Sequence, residues 1–227
     1  VWVNSPCNPT GQVIDAAGMR CIVDAARKIG AVVLSDECYA LMAWNDANDA
    51  PENREASIES SPCALRADVC GGDAYGVLVL YSLSKQSNMA GYRTACIAGD
   101  HTLVRAMTEL RKQIGLIVPG PVQAAMAAGL RDMAAVREQH NRYYSRLSTL
   151  VEALRAYGYD AHMPQGALYI WVRTLGDDCW QDMGRLADLG IVPSPGEFYG
   201  APQYLRFSAT ASDAQITEAA ERLHAAL

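Results

Sequence analysis

Basic runs are missing from this chain. In 227 residues no stretch of Lys or Arg exceeds two, and 19 basic against 25 acidic side chains leave a net charge of -6. A polyanion binder needs a cationic face, so nucleic acid is not an expected partner. No apolar run approaches the ~20 residues of a helical bilayer span, and no membrane association is expected. Seven cysteines, an odd number at irregular spacings, include no Cys-x-x-Cys pair, and the four histidines are scattered. No zinc-site spacing exists; free thiols in a reducing cytoplasm are the expectation. The sequence opens on Val1-Trp2-Val3, which show no initiator Met and no signal-peptide pattern and read as the middle of a strand. An N-terminal part of a longer protein is therefore expected upstream.

What is present suits a buried core, since half of the residues are hydrophobic. Val1 to Val3 read as a strand end, closed by Ser5-Pro6 and Asn8-Pro9-Thr10-Gly11. Asp15 is placed to cap a helix with Met19, Ile22, Val23 and Ala26 on its apolar face, and Gly30 to end it. Ala31 to Leu34 follows as a buried parallel strand, completing a βαβ unit. Asn45 to Ala74, rich in Asn, Asp, Pro, Ser and Gly, reads mostly as a surface excursion. Strands are expected at Val77 to Tyr81 and Thr94 to Ala98, then a helix from Thr102 to Gln113. Pro121 reads as the first turn of one long helix, kinks allowed, reaching Tyr157. Beyond it the pattern gives a strand (Leu168 to Arg173), a helix (Gln181 to Leu189), a strand (Tyr204 to Phe207) and a closing helix capped by Ser212 or Asp213. The fold class is α/β: a partial large domain with a mostly parallel sheet over residues 1–130, then the end of an interdomain helix and a smaller α+β domain over 131–227.

Three polar strings fall at the ends of these strands, where open α/β sheets bind ligands. They are Asn8-Pro9-Thr10-Gly11, Asp36-Glu37-Cys38-Tyr39, and Ser82-Leu83-Ser84-Lys85 followed by Gly91-Tyr92-Arg93. Singly, each has a plain explanation: a turn, a helix cap, a solvated charge. In this order, with Arg93 eight residues after Lys85, they resemble the fold-type I pyridoxal-phosphate enzymes, in particular the class I/II aminotransferases. Tyr204-Leu205-Arg206-Phe207-Ser208 is similar to that family's strand for the substrate-carboxylate arginine, and Pro195-Gly196-Glu197-Phe198 to the turn before it.

The resemblance implies pyridoxal 5'-phosphate as cofactor. Lys85 would anchor its aldehyde and shuttle the substrate proton, and Asp36 would keep its pyridine nitrogen protonated. Asn8 and Tyr39 would hydrogen-bond its phenolic oxygen; Ser82, Ser84 and Arg93 would hold its phosphate. Catalysis is thus expected of Lys85, Asp36 and Tyr39, and substrate binding of Asn8 and Arg206, with no metal. Amino-acid and 2-oxo-acid substrates and a homodimer are implied as well. Ala95 departs from the Gly that the family often has there, and the family's phosphate turn and ring-stacking aromatic would lie upstream. In detail the motifs look like those of actinobacterial N-succinyldiaminopimelate aminotransferases, which work in lysine and diaminopimelate biosynthesis. Other aspartate or aromatic aminotransferases, a C–S lyase, and a non-catalytic aminotransferase-like regulatory module are the alternatives.

Overall fold

Val1 to Asp36 folds as the βαβ unit that its pattern predicts. In this computed structural model, which describes residues 1–44 and 62–226, β1 (Trp2–Asn4) and β2 (Val33–Asp36) run parallel with Asn4 opposite Asp36. Between them lies α1 (Ala16–Lys28), whose first turn is capped by Asp15 accepting from the Gly18 N–H at 2.7 Å. Its buried stripe is Met19, Val23 and Ala26. β2 starts later than the apolar run, because the Ala31 N–H still bonds back to Ala26 while Gly30 turns at φ 67°.

β3 (Val77–Ser82) extends the sheet in parallel, and β4 (Ala95–Gly99) closes it antiparallel, in the order β1-β2-β3-β4. This is an α/β sheet, mostly parallel, with an antiparallel edge strand. Val3, Met19, Val23, Val33, Val69, Val77 and Val79 form its core cluster.

Two sequence expectations are corrected here. The described end of the Asn45 to Ala74 stretch is only in part a surface excursion: Arg66 to Asp68 and Gly71 to Asp73 are exposed, but Pro62, Ala64, Val69 and Cys70 are buried, whereas residues 45–61 lie outside the described residues. Ala64 and Val69 are buried, and α2 (Ala67–Cys70) packs on α1. Arg27 fixes it by donating to the carbonyls of Cys70 (2.9 Å), Asp73 (2.5 Å) and Tyr75 (3.0 Å). The expected single helix from Pro121 to Tyr157 is two. After α3 (Leu83–Gln86) and α4 (His101–Gln113, capped by Asp100) come α5 (Gly120–Gly129) and α6 (Met133–Tyr157). Asp132 makes the break, its carboxylate accepting from the Ala135 N–H at 3.0 Å as a new N-cap.

The chain divides into two compact units: the described residues of Val1–Pro6, Val13–Ala43 and Glu55–Gln139, and those of Cys7–Gln12, Trp44–Arg54 and His140–Leu227. The second carries an antiparallel sheet in the order β5 (Tyr169–Arg173), β7 (Tyr204–Ser208), β6 (Ser194–Pro195). α7 (Cys179–Asp188) is capped by Asp178, and α8 (Asp213–Ala225) by a capping box between Ser212 and Gln215. Leu168, Ile170, Leu186, Leu205 and Leu223 form its buried centre.

Gly99 turns into α4 at φ 136°, and a Cβ there would run into the Val77 carbonyl oxygen. Gly99→Ala should therefore destabilise the first unit by roughly 2–4 kcal/mol, because strain and overlap add. Urea unfolding of the purified variant checks this; a change within ±0.5 kcal/mol contradicts it.

Candidate active site

Parallel strands deliver their carboxyl ends to one edge of the sheet, and in the first unit that edge carries most of the expected residues. Asp36 ends β2. Its Oδ1 accepts the Cys38 N–H at 3.2 Å and the Cys38 thiol at 2.6 Å. Asp36 enters no salt bridge among the described residues. Glu37, next in the chain, is 2% exposed and turns into the core, where Oε1 accepts from the Ser35 hydroxyl (2.9 Å) and the Ala64 N–H (2.8 Å). Tyr39 is buried, with the Lys85 ammonium 5.8 Å from its ring centroid.

Ser82 ends β3 and caps α3, accepting from the Ser84 N–H at 3.1 Å. The Ser82 and Ser84 hydroxyls stand 2.7 Å apart, and Ser82 Oγ also reaches the Thr94 carbonyl at 3.1 Å. Leu83 and Gln86, three residues apart, supply the buried face of α3 and leave Lys85 off it, half-buried. Arg93 follows a 3₁₀ turn (Ala90–Tyr92) at φ 51°, donating to the Ala90 carbonyl at 2.9 Å. Together with Asn88 at φ 52°, two non-glycine residues in the left-handed region bracket the link from Lys85 to Thr94.

The other two expected residues meet in the second unit. The loop Cys7–Gln12 is closed by the Gly11 N–H on the Cys7 carbonyl (2.8 Å) and the Cys7 N–H on the Gln12 carbonyl (2.9 Å). This presents Asn8, whose Oδ1 accepts from Arg206 Nη1 at 2.7 Å. The Arg206 guanidinium lies 4.2 Å from the Tyr169 ring centroid and 5.1 Å from that of Tyr199. Its Nε is buried and has no hydrogen-bond partner among the described residues. A buried N–H without an acceptor is costly, so an anion is the group this seat wants.

Sequence reasoning missed the Cys38–Asp36 bond, the Thr94 carbonyl beside Ser82, and both tyrosines at Arg206. Tyr199 directly follows the Pro195 to Phe198 string already singled out, and Tyr169 and Trp171, two apart, share one face of β5. Alternation alone does not say which face meets a cation.

The donor set suits an anionic aldehyde cofactor. It offers an amine outside any salt bridge among the described residues, a carboxylate with one oxygen tied to the chain, and two hydroxyls near a strand end that Arg93 follows. The sequence matches the family described as Aminotransferase class I and II over residues 1–223. The chain belongs to the class I and II aminotransferases. These are pyridoxal-phosphate enzymes of fold type I, and the residues present fit that cofactor. The chain is 43% identical over 225 residues to the 4-dedimethylamino-4-oxo-anhydrotetracycline transaminase OxyQ of Streptomyces rimosus, spanning 98% of this chain and 59% of that protein. It is 30% identical over 228 residues to the LL-diaminopimelate aminotransferase of Oleidesulfovibrio alaskensis, spanning 98% and 55%. A double mutant of Thermus thermophilus aspartate aminotransferase superposes with a TM-score of 0.80 at 25% identity, over 100% of this chain and 56% of that one. The chain thus spans little more than half the length of these relatives.

All seven cysteines are free, yet their environments differ. Burial, then the hydrogen bond and the negative charge from Asp36, push the Cys38 thiol up to about 12 against the pull of the Lys85 ammonium. Burial foremost, with Glu37 adding to it, pushes Cys63 up to about 12 as well. Both should remain thiols at pH 8, whereas Cys21 is exposed to reagent. Peptide-mapped iodoacetamide labelling of the folded protein should find Cys21 modified and Cys38 and Cys63 spared. Labelling of Cys38 as fast as Cys21 would contradict the assignment.

Proposed function

We propose that this protein is a pyridoxal-phosphate-dependent aminotransferase, moving an amino group between an amino acid and a 2-oxo acid and working as a cytoplasmic homodimer. The observation that carries the reading is the Arg206 seat: a guanidinium fixed by Asn8, backed by two tyrosine rings, with a buried Nε awaiting an acceptor. Every amino-acid substrate presents an α-carboxylate, and a planar fork matches it with two parallel hydrogen bonds.

The residue roles follow from chemistry. When bound, the cofactor supplies the electron sink. Lys85 would hold it covalently, and its amine would move the proton at the substrate Cα. Asp36 would hold a proton on the ring nitrogen. Tyr39 would donate to the phenolic oxygen, the role that the motif resemblance also gives to Asn8. Ser82, Ser84 and Arg93 would bind the phosphate, where a fixed-charge fork outperforms an ammonium.

For the substrate pair we propose glutamate and N-succinyl-2-amino-6-oxopimelate, in lysine and diaminopimelate biosynthesis. Support comes from the motif resemblance and from the relative named for LL-diaminopimelate. A second reading is favoured by the 43% identity to a protein named for an oxo-anhydrotetracycline, in which the amino acceptor is a ketone and not a 2-oxo acid.

Borohydride reduction of the full-length holoenzyme, followed by peptide mapping, should place the pyridoxyl adduct on Lys85; an adduct on Lys28 or Lys112 sinks the assignment. Arg206→Lys keeps the charge and loses the fork, and should cost about 2–4 kcal/mol in transition-state binding. Cofactor absorbance should hardly change. Single-turnover kinetics then separate the two readings: equal loss for donor and acceptor supports two carboxylate substrates, and loss confined to the donor supports the ketone. Loss of cofactor from Arg206→Lys would remove the role given to Arg206.

A further inference from the structure

We propose that Cys38 is a positioning residue for Asp36: its thiol ties Oδ1 to the chain and thereby leaves Oδ2 to hold the proton of the cofactor's ring nitrogen. The inference rests on the reading of Asp36 given above and deepens it.

Asp36 stands at the last position of β2, and the turn that follows brings Cys38 back onto it. Both donors of Cys38 meet the same oxygen, the N–H at 3.2 Å and the S–H at 2.6 Å. Oδ2 accepts no hydrogen bond among the described residues. The terminal torsion of an aspartate is broad, so a single backbone donor leaves the two oxygens free to trade places. A second donor from the side chain narrows that choice and fixes which oxygen is spent.

A thiol suits this task because it stays a donor. Cys38 is half-buried, and its pKa, pushed up to about 12, keeps the proton on sulfur across the neutral range. A serine would donate to the same oxygen. A valine fills similar space and donates nothing, so the pair of substitutions separates donation from packing.

The test uses full-length apoprotein carrying Cys38, Cys38→Ser or Cys38→Val, with folding checked by circular dichroism. Each is titrated with pyridoxal phosphate and with its 1-deaza analogue, in which C–H replaces the ring nitrogen. Wild type should bind the natural cofactor more tightly than the analogue. Cys38→Val should lose about tenfold in affinity for pyridoxal phosphate and less than twofold for the analogue, the difference expected of one hydrogen bond to a charged group. Cys38→Ser should return to within threefold of wild type. Equal loss on both ligands, or failure of Cys38→Ser to recover, would mean that the side chain only packs, and no loss in Cys38→Val would mean that the bond does not orient Asp36. If wild type showed no preference for the natural cofactor, the role of Asp36 itself would fall and the proposal with it.

Discussion

The parallel pairing of β2 with β3 sets Asp36 opposite Leu80, two residues before Ser82. Parallel strands finish on the same edge of a sheet, so the acid that ends one and the hydroxyl that ends the other are neighbours by construction. Lys85 inherits its place from the same pairing, because α3 starts where β3 stops and Ser82 caps it. A one-residue slip would exchange the faces of Asp36 and Glu37, burying the wrong carboxylate. Val33, Val77 and Val79 in the core cluster are what prevent the slip.

Asp36 and Glu37 show how position sorts two like groups. Successive side chains at a strand end point to opposite faces. Glu37 goes inward and joins Ser35 to Ala64, and so stitches the returning chain to the sheet. Asp36 goes to the edge, where among the described residues its carboxylate accepts from Cys38 alone. The dipeptide reads as two interchangeable acids; the pleat makes one structural and one available for chemistry.

Periodicity made α1, β3, α7 and α8 legible, together with the caps at Asp15 and Ser212, because these depend on residues a few positions apart. The break at Asp132 was harder to see: an alanine-rich stretch supports a helix on both sides, and one N-cap outweighs it. The core placement of Ala64 and Val69 was hidden by a polar composition that misrepresents a few well-placed apolar residues. In the site, the strand-end strings were visible as a set, but their partners were not. Asn8 and Arg206 are separated by 198 positions, and no local pattern joins them. Asn88 is a residue type that tolerates the left-handed region, but Arg93 is not, and nothing in the string marks its backbone conformation.

Arg27 holds the chain entering β3 through the backbone carbonyls of Cys70, Asp73 and Tyr75, not through their side chains. A carbonyl is the same whatever residue bears it, so this anchorage is indifferent to sequence drift along the segment. A change of side chain at Asp73 or Tyr75 therefore leaves Arg27's acceptors in place, and with them the entry into β3, the strand whose end locates Lys85. The approach to β3 is thus held by a single guanidinium that asks nothing of the side chains it grips past.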